Sequence, residues 1–290
     1  MNFYLKPCLL LFILCLSQTA LAWNAAGHRQ IAALAWDLME EPVRQEALFL
    51  LKKHPDYPRW LKQQREQDPD YGVFLEASVW ADDIRRDQRF YSPGERQTPL
   101  FPGFPDMARH SDWHYQDESS GKLAERLPQL AKIVAEQRQG DEERAYALVW
   151  LLHLVGDLHQ PLHTRGRNDK GGNLFLVKLP RKSAASGKER WQVSLHSYWD
   201  DLPGPSWLRG ERLRATLPGL QHPPGGKTGD VKRWLAESRA LVRHKVYPSA
   251  PGEISPEFHK RAKAISRQRI ALAGYRLGMW LNLLLTTGLA

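Results

Sequence analysis

The chain has 290 residues, enough for one large domain or two small ones, and at 42% hydrophobic and 25% charged it excludes a disordered polymer. Lys and Arg number 41 against 32 Asp and Glu, a formal charge of +9. That excess favours anionic partners such as nucleic acid or a membrane surface, and it suits a soluble protein with a basic exterior equally well.

The first element is "MNFYLKPCLLLFILCLSQTALAW". One Lys, an apolar run from Cys8 to Leu16 and the small-residue pattern Ala20-Leu21-Ala22 predict a secretory signal over residues 1–22. Cleavage after Ala22 leaves residues 23–290 as the mature domain, in the periplasm or the medium. The apolar run falls short of the roughly 20 residues that a membrane anchor needs. Neither Cys8 nor Cys15 follows the small residue of a lipoprotein signal, and both lie inside the segment, so the mature chain forms no disulfide. Losing Lys6 takes the charge from +9 to +8. No Asn-x-Ser/Thr sequon is present, which suits a bacterial exported protein.

Apolar periodicity predicts helices at Gly27–Leu38 and Pro42–Lys53, and a third through "FLEASVWADDIR" to Arg85. Gln88–Pro105 is rich in Pro and Gly and reads as loop. "RHSDWHYQD" reads as a short extended piece. Helices follow at Lys122–Gln139 and Asp141–Leu158, the second ended by Pro161. A turn at Gly171-Gly172 precedes a hairpin made by "NLFLVKL" and "RWQVSLH" around the loop "PRKSAASGKE". Pro203–Gly226 reads as an irregular excursion. Asp230–Val246 and Pro256–Leu285 are closing helices, with "ALAGYRLGMWLNLLL" apolar nearly all round and therefore buried. The whole is one mostly α domain with a small β-hairpin.

The segment "LLHLVGDLHQPLH" is apolar yet carries three histidines and an aspartate, which burial penalises unless each finds a partner. His153 and Asp157 are four apart and share a helix face. His163 follows the break at Pro161 and can turn back toward the same end. Nitrogen and carboxylate oxygen at this spacing suit Zn²⁺, although His153 alone reads as readily as a hydrogen-bonded core histidine. His159 reads as lying behind the site or at the surface. The pattern recurs: His196 and Asp200 in "LHSYWD", Asp82 or Asp83 in "WADD", His114 in "DWHY" and His28 in "WNAAGH". Four such clusters in one chain are hard to explain as core histidines. After signal cleavage the Trp23 α-amine, with a pKa near 8, is when deprotonated a good metal ligand that the Trp23 carbonyl could complete as a chelate; Trp23 reads equally as a buried aromatic, and the two readings are compatible.

Taken in order, "WNAAGH", "SVWADDIR", "WHYQD", "HLVGDLHQPLH", "KGGN", "LHSYWD", "WLAESRALV" and "AGYRLGMWLN" resemble the trinuclear-zinc single-strand nucleases, the nuclease I and 3′-nucleotidase type, over essentially the whole mature chain. The resemblance implies the mostly α fold of the zinc phospholipase C and nuclease superfamily, with three Zn²⁺ ions. It implies one ion on Asp82, His114, His153 and Asp157, a second on His163, His196 and Asp200, and a third on the Trp23 amine and carbonyl, His28 and a bridging Asp157. Arg85 matches the position that binds phosphate and offsets transition-state charge; without the resemblance it reads equally as a surface partner of Asp83 or Asp87. Tyr115 matches the aromatic on which a base stacks, and Asp117 the carboxylate that reads the base edge. Gly171, Gly172 and Asn173 shape a cleft wall.

The implied activity is a zinc-dependent endonuclease that cuts single-stranded RNA and DNA to 5′-phosphates and also hydrolyses 3′-nucleotides. Such a protein works as a monomer with no stable membrane association after signal removal. Two other readings stay open: a zinc-dependent phospholipase C, and a non-catalytic nucleic-acid-binding protein with structural zinc. Ending the last ligand pair in Asp200, and placing His28 five residues after Trp23, speak against the phospholipase. Ligands shared among three ions speak against structural zinc, which normally has four protein ligands. The basic segments "RKSAASGKER" and "HKRAKAISRQR" are further polyanion candidates, the second reading first as a solvated helix face.

Overall fold

The computed structural model describes residues 23–117, 119–179, 192–217 and 228–286. The signal segment, the loop "PRKSAASGKE", the basic segment "RKSAASGKER" and the end of the Pro203–Gly226 excursion lie outside them, wholly or nearly so. Among the described residues are eleven α-helices: α1 (Ala25–Leu38), α2 (Glu41–Lys53), α3 (Tyr57–Gln63), α4 (Pro69–Ala77), α5 (Trp80–Asp83), α6 (Leu123–Ala135), α7 (Asp141–His159), α8 (Leu195–Asp200), α9 (Gly210–Arg214), α10 (Val231–His244) and α11 (Pro256–Thr286).

The architecture follows from α7, which is buried from Arg144 to His159. A helix apolar all round must be covered on every side, and α7 packs against α1, α2, α5, α6, α10 and α11. Three acids in its first turn, Asp141, Glu142 and Glu143, suit the positive end of the helix dipole. Side-chain caps fix neighbouring starts. Asn24 accepts from Ala26 N–H at α1, Asp68 from Asp70 N–H at α4, and Asp230 from Arg233 N–H at α10. Trp150 on α7 meets Trp80 edge-on at 5.7 Å and Trp113 at 4.9 Å, and such pairs add about 0.5–1.5 kcal/mol each beyond burial.

The predicted hairpin forms as β1 (Leu176–Lys178) antiparallel to β2 (Gln192–Ser194), with Val177 opposite Val193. A third strand, β3 (Gly252–Glu253), pairs with β1 in parallel, giving the order β2-β1-β3. The fold is thus mostly α with a small sheet, and no described helix is long and apolar enough to cross a membrane.

Several elements differ from the sequence reading. The single helix through "FLEASVWADDIR" is α4, a break at Ser78-Val79, α5 and a 3₁₀ turn at Ile84–Arg86. The "RHSDWHYQD" piece is a 3₁₀ turn at Ser111–Trp113 followed by an isolated bridge between Gln116 and Gly121. Leu195-His196, placed in a strand by pattern, begin α8, because Ser194 caps the Ser197 N–H. The Pro203 excursion contains α9, and α3 was not anticipated. On α11 the burial is incomplete: Met279 and Leu283 are exposed.

Candidate metal centre

α7 brings His153 and Asp157 to one buried face. The break after α4 frees the Ser78 carbonyl, which accepts from His153 Nδ1 at 2.9 Å. That fixes the tautomer and turns His153 Nε2 inward. There it meets Asp157 Oδ2 at 3.4 Å, Asp82 Oδ1 on α5 at 3.7 Å and His114 Nδ1 at 3.2 Å. His114 Nδ1 also lies 3.0 Å from Asp157 Oδ2. Asp82, His114, His153 and Asp157 therefore converge.

His28 on α1 approaches from the other side. Its ring stacks on His153 at 3.9 Å, and its Nε2 is 3.4 Å from Asp157 Oδ1. This approach needs glycine at 156, since a Cβ there would sit 2.8 Å from His28 Nδ1. Trp23 is fully buried just before α1. The next residue, Asn24, donates its N–H to the Asp200 carbonyl at 3.1 Å, which ties the residues before α1 to the end of α8.

The third group is His163, His196 and Asp200. His163 Nε2 and His196 Nε2 are 3.0 Å apart, and His196 Nε2 is 3.5 Å from Asp200 Oδ2, one turn along α8. His163 Nδ1 donates to the His114 carbonyl at 2.5 Å and His196 Nδ1 to the Gly171 carbonyl at 2.6 Å. Gly171 has φ +64°, and a Cβ on it would lie 2.6 Å from the Leu162 carbonyl oxygen. Gln160 donates to Asp200 Oδ1 at 2.7 Å and accepts from Leu162 N–H at 2.6 Å. Sequence reasoning assigned no role to Ser78 or Gln160. Gln160 had a signal: an amide inside "LHQPLH" must satisfy itself somewhere once buried.

These side chains form three groups whose ligand atoms lie within 4.8 Å of one another: His28, His153 and Asp157; Asp82, His114 and His153; His163, His196 and Asp200. They fit zinc on two observations. Both His28 nitrogens, Asp82 Oδ1 and Asp157 Oδ1 are buried without a hydrogen bond. Ligand atoms at zinc bonds of about 2.0–2.1 Å in a tetrahedron stand about 3.3 Å apart, close to the separations of 3.0–3.9 Å across these groups.

Burial holds His28 and His114 well below the ordinary histidine range, reinforced by His153 for the first and Arg85 for the second. Burial pushes the Asp157 carboxyl up to about 6, and holds Asp200 well above the usual carboxylate range. A bound cation would bring the two carboxyls back down and would hold the two histidines neutral all the more.

For Arg85 the alternative reading is a surface partner of Asp83 or Asp87; the ion pair seen is with Asp82. The Arg85 Nε faces Asp82 Oδ1 at 3.3 Å, almost fully buried. Asp83 pairs instead with Arg59 at 3.1 Å and Asp87 with Arg89 at 2.6 Å. Tyr115 follows His114 and is exposed, with 36% of its surface open. Asp117 is half-buried, and Arg239 donates to its carbonyl at 3.2 Å. The adjacent Gln116 N–H donates to the His163 carbonyl at 2.7 Å, so this strip is laced to the third group.

His159 is not at the surface. It is fully buried, donates Nδ1–H to the Val155 carbonyl at 2.7 Å and accepts from Arg276 at 2.9 Å on Nε2. It lies on the side of α7 that faces α11 and is a satisfied core histidine.

Comparison with known proteins identifies the family of the chain. Residues 23–286 match the family described as S1/P1 Nuclease. Nuclease PA3 of a Penicillium species is 26% identical over 90% of this chain and 97% of its own. Nuclease P1 of Penicillium citrinum is 24% identical over 90% and 97%, and Endonuclease 4 of Arabidopsis thaliana is 23% identical over 91% and 89%. The chain belongs to the S1/P1 nuclease family, zinc-dependent hydrolases of phosphodiester bonds.

Proposed function

From that membership we propose that the protein cuts single-stranded RNA and DNA to 5′-phosphate products at a centre of three zinc ions, and releases phosphate from 3′-nucleotides with the same residues. The observation that carries the reading is Asp157. Its Oδ2 faces His114 and His153 while its Oδ1 faces His28, so one carboxylate joins two ion sites. In this reading Asp82, His114, His153 and Asp157 hold one ion, His163, His196 and Asp200 a second, and His28, Asp157 and the Trp23 amine and carbonyl a third.

The Trp23 amine is free only after cleavage behind Ala22, so activity follows export to the periplasm or medium. The family match beginning at Trp23 and the bond from Asn24 N–H to Asp200 support this. The mature chain from residue 23 acts as one domain, as a monomer, without stable membrane association.

Zinc held by these residues supplies the Lewis acidity that lowers the pKa of water to about 7 and polarises phosphoryl oxygens. Arg85 points a guanidinium fork at the non-bridging oxygens, where its geometry matches phosphate and its charge offsets what develops in the transition state. Tyr115 offers an open ring for a base, worth about 1–3 kcal/mol per stacked base. Asp117 accepts from the base edge. A base inside a duplex is unavailable to both, hence the preference for single strands. A water oxygen bonds to phosphorus as the P–O3′ bond breaks, and the 3′-oxygen leaves protonated. The same bond breaks in a 3′-nucleotide, releasing free phosphate.

The test is product analysis of the chain beginning at Trp23, given single-stranded RNA and DNA, duplex DNA, a 3′-nucleotide and phosphatidylcholine. The reading expects 5′-phosphate ends, phosphate from the 3′-nucleotide and slow attack on duplex. Ends bearing 3′-phosphate, or cleavage of the phospholipid alone, would overturn it.

A further inference from the structure

A cleft of 480 Å³ opens between the loop after His163 and the end of α10, lined by Arg165, Gly166, Arg167, Asn168, Val242 and Arg243. Half of this lining is arginine and none of it is acidic. The neighbouring carboxylate, Asp169, is already engaged: it accepts from Tyr247 O–H at 2.8 Å, Gly172 N–H at 2.8 Å and Arg167 N–H at 3.1 Å. A second basic cleft is lined by Arg59, Lys62, Gln63, Arg65 and Arg209. There Arg59 faces Asp83 at 3.1 Å and Arg209 faces Glu76 at 2.7 Å, so its field is partly cancelled.

The cleft beside α10 is tied to the metal centre through the chain and through α10. Arg165 stands two residues beyond His163. Arg239 and Arg243 are four apart on α10 and share a face, about one 5.4 Å turn from each other. Arg239 donates to the Thr164 carbonyl at 3.0 Å and the Asp117 carbonyl at 3.2 Å, so a single helical turn separates the Asp117 strip from the cleft. Arg167 is held ready, its guanidinium lying 4.2 Å over the Tyr247 ring. Stacking uses the face of the guanidinium and leaves its N–H edge to meet a phosphate.

We infer that this cleft binds a backbone phosphate of the single-stranded substrate, outside the nucleotide that is cut, so that the enzyme prefers longer strands to dinucleotides. The inference rests on the nuclease reading above. It assigns Arg167 and Arg243 to affinity for the strand and gives them no part in bond cleavage.

The experiment uses zinc-loaded enzyme carrying Arg167→Gln with Arg243→Gln. Both side chains are exposed, and circular dichroism checks the fold. The inference expects kcat/KM on a dinucleoside monophosphate to stay within about twofold and that on a thymidylate strand of about ten residues to fall about tenfold. The salt dependence of binding should flatten by about 0.7 log units per lost contact. A phosphorothioate thymidylate strand, which resists hydrolysis, reads binding alone. The pair Lys62→Gln and Arg65→Gln in the other basic cleft should leave strand binding within about twofold. Equal losses on both substrates, equal losses from both pairs of variants, or unchanged binding of the phosphorothioate strand would each overturn the inference. Failure of the nuclease reading shows separately, as wild-type protein that hydrolyses neither substrate; the phosphorothioate arm then decides the cleft by itself.

Discussion

His163 and His196 present their Nε2 atoms to each other across 3.0 Å, while each gives its Nδ1–H to a backbone carbonyl. A neutral imidazole has one N–H, so both facing nitrogens carry lone pairs. Two acceptors held this close are stable together when a cation lies between them.

Gln160→Ala removes the amide that orients Asp200 and the acceptor for Leu162 N–H. Loss of such an outer partner typically costs about 10–100-fold in metal affinity. We expect weaker zinc binding by that factor, with helix content unchanged. Competition with a chromophoric chelator measures it; wild-type affinity would remove Gln160 from the account.

Gly156→Ala places a methyl 2.8 Å from His28 Nδ1. Neither the α7 backbone nor the stacked His28 ring yields easily, so overpacking costs about 1–3 kcal/mol. Activity should fall further than stability, because His28 moves away from Asp157. Urea unfolding and kcat on the same sample check this, and activity lost only in proportion to folded protein would contradict it.

Tyr115→Ala removes the open ring and should raise KM by about 5- to 150-fold, equivalent to about 1–3 kcal/mol of stacking. Tyr115→Phe keeps the ring and should change KM little. If the two variants lose alike, the hydroxyl rather than the face of the ring is what matters.

The spacing of His153 with Asp157, and of His196 with Asp200, was legible because a helix repeats every four residues. The same arithmetic could have placed His159. At about 100° per residue it lies roughly 200° from Asp157, on the opposite face of α7. Its partner Arg276 was not legible, since it comes from 117 residues away. The break at Ser78 was hidden for a similar reason: "FLEASVWADDIR" keeps helical composition through it, and the structure uses the freed carbonyl for His153. α3 begins with Tyr57-Pro58 and is seven residues long, too short for apolar periodicity to register.

Acid should destabilise the protein through His54 as well as through the metal centre. Burial lowers His54 from 6.5 to about 3, and its Nδ1 accepts from Asp56 N–H at 3.1 Å. The folded state keeps it neutral, so the unfolded state takes up the proton first as pH falls. Its contribution is full above about 6.5 and is lost as pH drops toward 3, at about 1.4 kcal/mol per pH unit. His54→Asn keeps an acceptor and removes the titration, so unfolding free energies of variant and wild type should converge between pH 6 and 4, an interval inside the window from 6.5 to about 3. Parallel profiles would show that His54 is not the titrating group.

If the Trp23 amine completes a three-zinc centre, the zinc content depends on which residue begins the chain. The direct measurement is zinc content, by mass spectrometry or atomic absorption, of the chain beginning at Trp23 beside one with extra residues before it. Three ions are expected in the first, about one fewer in the second, and loss of hydrolysis with the missing ion. Equal zinc in both would remove Trp23 from the centre, and a single ion in the first would contradict the assignment of all three groups.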